Sequence, residues 1–258
     1  MMGARTGAWA KSGGGVPTAR DYVQDGLVAM WDGIENAGWG VHDQSATTWK
    51  DIIGSNDVLL SGSLVSDRCW GNNHFHNNIE SVVFTGTPSS AMKAAITSGQ
   101  LTVQALFMPE AQPSSGNMCI FQCSPASVTT DGMILGIINS VSCGSGNTMS
   151  WVSNRAVNHF SPDGWLNILG NTYALSFICD NTTMTSIMNG SSVTATRTKS
   201  LPVDSDLTSF AILSYNWNKG RSRTLRGKVY NLRLYSRALT YEEIAHNYAI
   251  DKARFALT

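Results

Sequence analysis

The sequence predicts an all-β fold, two antiparallel sheets packed as a sandwich with a short helix near the C-terminus, and three observations carry that prediction. Short apolar or alternating segments recur along the chain, separated by Gly, Pro, Asn, Ser and Asp, as strands are by turns. Charged residues make up 14% of the chain, against roughly 25% in an average globular protein, so its polarity comes from Ser, Thr, Asn and Gly, which suit strand faces and turns. A strong helix-start signal stands close to the end, at Thr240. With 258 residues and no fixed-period repeat, the chain suits one large sandwich rather than a propeller or solenoid.

Residues 1–20 carry Gly3, Gly7, Gly13, Gly14, Gly15 and Pro17 with little apolar patterning, the composition of a flexible Gly-rich arm. The folded domain is expected over 21–258. A first helix is predicted at 90–96, just before the clearest strand, 101–108, which places Leu101, Val103, Ala105 and Phe107 on one face. The stretches 118–122, 133–138 and 210–215 read as central strands. In 173–179, Tyr173, Leu175, Phe177 and Cys179 align, and Asn189-Gly190 then marks a hairpin. In 228–235, Tyr230, Leu232 and Leu234 align. This alternation predicts sheets with one covered face and one wet face. The final helix starts at a capping box, Thr240-Tyr241-Glu242-Glu243, with Leu239 and Ile244 as its hydrophobic staple. Ile244 and Tyr248, one turn apart, are the expected packing face.

The run Leu225-Arg-Gly-Lys-Val-Tyr-Asn-Leu-Arg-Leu-Tyr-Ser-Arg-Ala-Leu-Thr-Tyr-Glu-Glu-Ile-Ala-His-Asn-Tyr resembles the ending of laminin-G-type domains of the concanavalin A-like superfamily: a last strand, a turn, a cap and a helix. Gly26-Leu-Val-Ala-Met-Trp-Asp-Gly is similar to the family's opening strand, Trp49-Lys-Asp-Ile-Ile-Gly to the turn after it, and Leu101-Thr-Val-Gln-Ala-Leu-Phe to a central strand. The resemblance implies a jelly-roll sandwich over about 21–255. It also implies the roles that such domains fill in bacterial and bacteriophage proteins: carbohydrate binding, adhesion or display on a virion. Calcium held by loop carboxylates is a further implication, with Asp57 and Asp180 as candidates; no other cofactor is expected.

Eighteen basic residues balance eighteen acidic ones, which leaves no footprint for nucleic acid. No apolar run is long enough for a membrane-spanning helix. The N-terminus lacks the apolar stretch of a secretory signal, so the expected localisation is a virion surface after synthesis in a host cytoplasm, with a bacterial cell surface as alternative. Five cysteines with no CxxC pair read as reduced thiols. Cys69, His74 and His76 lack a fourth neighbour, and no metal site is assigned to them.

Enzymes on this sandwich, endo-glucanases among them, carry paired carboxylates in a pattern like E-x-D-x-x-E, because retaining hydrolysis needs two carboxyl groups about 5 Å apart. Nothing here matches. Asp204 and Asp206 follow Pro202 in an apparent turn, and no catalytic residue is assigned. Among the eight tryptophans, Trp31 and Trp49 occupy strand-like positions and are expected in the core. Trp39, Trp151, Trp165 and Trp217 lie in polar surroundings beside Asn154, Asn158 and His159, and these seven residues form the candidate glycan-binding set. The expected function is therefore a non-catalytic surface or structural module that binds a glycan or cell-surface polysaccharide. Capsid or tail proteins would be reached through the N-terminal arm, and a homo-oligomer is allowed. The alternatives are a glycoside hydrolase or lyase with an unfamiliar active site, and a purely architectural protein.

Overall fold

The computed structural model describes residues 15–80, 84–111, 117–124, 133–139, 147–153, 156–160, 169–181, 183–189, 191–196, 207–214 and 224–257. In chain order they form β1 (Leu27–Asp32), β2 (Thr48–Trp49), β3 (Val58–Leu60), β4 (Arg68–Trp70), β5 (Phe75–Asn77), β6 (Phe84–Gly86) and α1 (Ser90–Ser98). Then come β7 (Gln100–Ala111), β8 (Asn117–Ser124), β9 (Met133–Asn139), β10 (Asn147–Ser153), β11 (Ala156–Phe160) and β12 (Tyr173–Asp180). The chain ends with β13 (Thr183–Met188), β14 (Ser191–Thr196), β15 (Ser209–Ile212), β16 (Arg226–Tyr235) and α2 (Tyr241–Arg254).

Two antiparallel sheets result. The first runs β14-β13-β12-β7-β16-β5-β4, with β1 also on β16. Along one edge of β16, β5 pairs with Gly227–Val229 and β1 with the stretch from Asn231 to Tyr235. The second runs β11-β10-β9-β8-β15-β6-β3-β2. Their inner faces enclose one aromatic-rich core. Trp31 and Trp49 are fully buried there, as expected, and each indole N–H is satisfied by a backbone carbonyl, of Asn56 and Asp32 respectively. Trp70 meets Trp49 edge-on at 5.1 Å and Phe75 at 4.9 Å.

The expectation of a wet outer face fails on the first sheet. In β7, Thr102, Gln104 and Leu106 are as buried as the inward residues. The N-terminal segment and α2 lie across them, and the polar side chains are satisfied inside the protein. The Thr102 hydroxyl donates to the Arg237 carbonyl and accepts from the Leu239 amide. Gln104 donates to Ser176 and accepts from Asn247. The alternating polarity marks a hydrogen-bonded layer instead of a solvated one.

The same layer shortens the expected arm. Residues 1–14 lie outside the described residues, but Thr18 caps a 3-10 turn, Ala19–Asp21, whose Ala19 is buried. With Ala19 buried and the Val23 amide donating to Asn247 of α2, packed structure begins before residue 21. The capping box of α2 forms as predicted: the Glu243 amide donates to the Thr240 hydroxyl, and the Thr240 amide to the Glu243 carboxylate. The packing face differs. Ile244, Asn247, Ile250, Asp251 and Arg254 are buried, whereas Tyr248 stands half-buried on the flank.

Candidate functional site

Because α2 stands on β16 and β7, its flank overhangs the neighbouring strands. Tyr241, Ala245, Tyr248, Ala249 and Lys252 form one wall of a cavity of about 250 Å³. Facing them are Gln104, Ser176 and Ile187, aligned in register across β7, β12 and β13. A second compartment, about 560 Å³, continues past Tyr248 and is lined by Asn171, Tyr173, Tyr230 and Phe255. Ala174, Asn189 and Tyr248 belong to both compartments, which makes them one groove.

Local structure fixes the groove's polar groups. Asn189 takes a left-handed φ of 47° at the β13–β14 turn, a conformation Asn tolerates better than most residues. Its side-chain oxygen accepts from the Ala174 amide at 2.9 Å, which anchors the carboxamide at the rim. Tyr230 sits where the register of β16 slips against β7, and bulges of this kind re-aim side chains. Its carbonyl accepts from the Gly33 amide, and its ring meets Phe255 edge-on at 5.6 Å. Tyr173 is hydrogen-bonded to Asn171, and burial pushes its phenol pKa upward. The Lys252 ammonium lies 5.1 Å from the Tyr248 ring, within cation–π range.

Beneath the groove lies a buried ionic layer. Asp251 receives both Arg233 Nη groups at 2.8 and 2.7 Å, together with the Tyr22 hydroxyl and the Asn231 amide. Arg254 pairs with Asp32 and Glu35. The Tyr22 ring lies over the Arg233 guanidinium, 4.0 Å from centroid to carbon. Burial and the Asp251 charge raise the Tyr22 phenol well above its ordinary pKa, so it stays a neutral donor. Burial opposes the Arg233 charge, yet Asp251 holds it on the raised side.

Of the described residues expected to bind glycan, Trp39 lies apart from Trp151, Asn158 and His159, which are neighbours on β10 and β11. Trp39 is partly exposed in the loop between β1 and β2, with the Arg20 guanidinium 4.5 Å above its ring. That loop is tied beside β2 by the Lys50 amide, which donates to the Asn36 carbonyl. Trp151 on β10 pairs in register with Asn158 on β11, and His159 pairs with Ser150. β2 and β11 are the opposite edges of the second sheet, separated by seven strand spacings of about 4.8 Å each. One small ligand cannot span them. Asn154, Trp165 and Trp217, like Asp204 and Asp206, lie outside the described residues.

The other candidates are engaged locally. Cys69 and His76 are register partners on β4 and β5; His76 contacts Glu110 at 2.8 Å, and His74 packs on Tyr230. No three His, Cys, Asp or Glu side chains gather as a metal site among the described residues. Asp57 pairs with Lys50, and Asp180 accepts from Gln100, its register partner on β7. The groove itself escaped sequence reasoning, because its walls come from five separated stretches, on β7, β12, β13, β16 and α2. The readable trace was Tyr241, Tyr248 and Lys252 on one flank of α2.

The family model of laminin G type, described as the concanavalin A-like lectin/glucanases superfamily, matches residues 84–245. No match was found among curated proteins. Among solved structures, a Trypanosoma rangeli sialidase in complex with sialic acid superposes with a TM-score of 0.58 at 17% identity, covering 92% of this chain and 34% of the sialidase. The same sialidase without that ligand gives 0.56 at 17% identity, with the same shares of each chain. A mutant of it displaying trans-sialidase activity gives 0.55 at 17% identity, with 93% and 34% covered. The chain thus spans about a third of the length of these proteins, and the likeness establishes the fold. It also corrects two expectations. These solved structures are sialidases, one with trans-sialidase activity, which goes against the non-catalytic function and the non-enzyme reading drawn from the missing carboxylate pair. A role in a virion, through capsid or tail partners, gains no support from the comparisons.

Proposed function

The chain belongs to the concanavalin A-like lectin/glucanases superfamily, and on that premise we propose that it serves glycosidic-bond chemistry by holding a glycan in the groove between α2 and β12–β13. The observation that carries this reading is the lining of the groove: Tyr173, Tyr230 and Tyr248 stand beside the amides of Asn171 and Asn189. A pyranose presents apolar C–H faces and equatorial hydroxyls, and matches aromatic platforms flanked by fixed amides. The sialidase and trans-sialidase titles of the solved structures with this fold support a glycan as the ligand class.

Among the described residues, Asp251 is the one carboxylate lining the groove, and it is bound by Arg233, Asn231 and Tyr22. The described groove therefore supplies recognition, with no free carboxyl group among the described residues of its walls. The test is a calorimetric titration of the full chain with lactose, cellobiose and 3'-sialyllactose, alongside an assay for sugar release from each. Saturable binding to at least one, weakened about tenfold by Tyr248→Ala, is the expected result. Binding unchanged in both Tyr248→Ala and Asn189→Ala would place any glycan elsewhere and overturn the proposal. Sugar release abolished by the same substitutions would extend the groove's role from holding the glycan to its cleavage.

A further inference from the structure

Resting on that reading, we propose that the groove takes an extended chain of at least three equatorially linked pyranose units, laid parallel to α2 with Tyr241 and Tyr248 as two stacking platforms. The two tyrosines stand seven residues apart on the helix and line the same compartment. Seven residues are two turns, which returns a side chain to nearly the same flank and moves it about 10.5 Å along the axis. Phe255, seven further on, ends the row, buried against Tyr230 in the adjoining compartment. Large apolar residues at this spacing ordinarily belong to a helix face packed in a core. Here Tyr241 is 55% exposed and Tyr248 half-buried, so both rings are open to a ligand.

The spacing of the rings selects the chain. In an extended, equatorially linked chain alternate units turn over, so the same ring face recurs at every second unit, and two units reach about as far as two helical turns. Rings on Tyr241 and Tyr248 are therefore the first and third of three consecutive units. An axially linked chain curves and cannot keep both in line. Polar groups stand at the second platform, where the two compartments meet. The exposed Asn189 accepts from the Ala174 amide through its side-chain oxygen, which leaves its amide nitrogen to donate to a hydroxyl. The Lys252 ammonium, 5.1 Å from the Tyr248 ring, supplies a second donor beside it. The lining accommodates more than one ring, since about 250 Å³ in one compartment and 560 Å³ in the next both exceed the ~150 Å³ that accepts benzene in an engineered cavity.

The test titrates the full chain calorimetrically with cellobiose, cellotriose and the axially linked maltotriose, using the wild type, Tyr241→Ala, Tyr241→Phe and Tyr248→Ala. Cellotriose should bind about tenfold tighter than cellobiose, which reaches one platform only, and maltotriose should bind no tighter than cellobiose. Tyr241→Ala should bring cellotriose down to the affinity of cellobiose, whereas Tyr241→Phe, which keeps the ring, should retain the gain. Equal binding of cellobiose and cellotriose, still weakened by Tyr248→Ala, would overturn this inference and leave the glycan groove standing. So would a gain from the third unit that survives Tyr241→Ala, or an equal gain for maltotriose. Absence of binding to all three chains would overturn it as well, and lactose and 3'-sialyllactose would then decide the groove reading by themselves.

Discussion

Replacing Asp251 by Asn tests the ionic layer under α2, because it preserves side-chain shape and removes only the charge and one acceptor oxygen. Arg233 and Asp251 are 1% and 2% exposed, and their two contacts of 2.8 and 2.7 Å form a parallel fork. Breaking one side of a buried pair leaves the other charge uncompensated, at a cost of about 3–5 kcal/mol. Tyr22 and Asn231 also lose an ionised acceptor at 2.7 Å each. The contributions overlap, and about 4 kcal/mol is expected from a total stability of about 5–15 kcal/mol. With a urea dependence near 3 kcal/mol/M, suited to a chain of this size, the unfolding midpoint falls by about 1.3 M. Arg233→Met combined with Asp251→Leu should recover most of the loss, since an apolar pair of similar volume needs no desolvation of charge. A midpoint shift for Asp251→Asn below about 0.3 M would show that the layer contributes no more than a surface pair, and would refute the argument.

Two further predictions follow from local geometry. Burial, then the charges of Lys228 and His76, hold His74 at a pKa of about 4 in the fold against an ordinary 6.5. Between these values the unfolded chain binds a proton that the folded chain does not, so stability falls as pH drops from 6.5 to 4. His74→Gln should flatten that decline in urea midpoints measured across the window; an unchanged slope, or an imidazole that titrates near 6.5 by NMR, would contradict it. Ala256, after the end of α2, takes a left-handed φ of 51°, which costs a residue with a Cβ about 1–2 kcal/mol. Ala256→Gly should therefore raise the melting temperature by about 2–4 °C, and no rise by scanning calorimetry would count against the assigned strain.

What the sequence made legible was whatever a short stretch determines by itself. The α2 cap required only Thr240 and Glu243, three residues apart, and their reciprocal hydrogen bonds form. The strands β7 and β12 were readable because every second residue is apolar and faces the core. In β16 the register slip puts Val229 in the core with Leu232 and Leu234, and sends Tyr230, expected to align with them, to the outer face against Phe255. The same reading put Thr102, Gln104 and Arg233 in water, since alternation reports that two faces differ and not what covers the second. Their partners come from distant stretches: Asn247 meets Gln104 across 143 positions, and Tyr22 meets Asp251 across 229. The separation of Trp39 from the rest of the described glycan set has a related cause. Trp39 and Trp151 have polar neighbours in sequence, but the sheet order that sends them toward opposite ends of the second sheet is a property of the whole chain.

The groove is a consequence of dimensions. A helix with its side chains is about 10–12 Å across, and strands lie about 4.8 Å apart, so one helix covers two or three strands and no more. The first sheet is wider, and α2 is tied above β16 and β7: Asp251 binds Arg233 and Asn231, while Asn247 binds Gln104. Those contacts leave a gap beside α2 whose floor is Ser176 and Ile187, and Tyr248 and Ala249 line it from the helix. Had Ile244 and Tyr248 formed the packing face instead, the helix would be rolled toward β12 and the tyrosine would close the opening. The polar residues on the underside of α2 therefore do more than satisfy a buried layer: by fixing the rotation of the helix, they hold the groove open beside it.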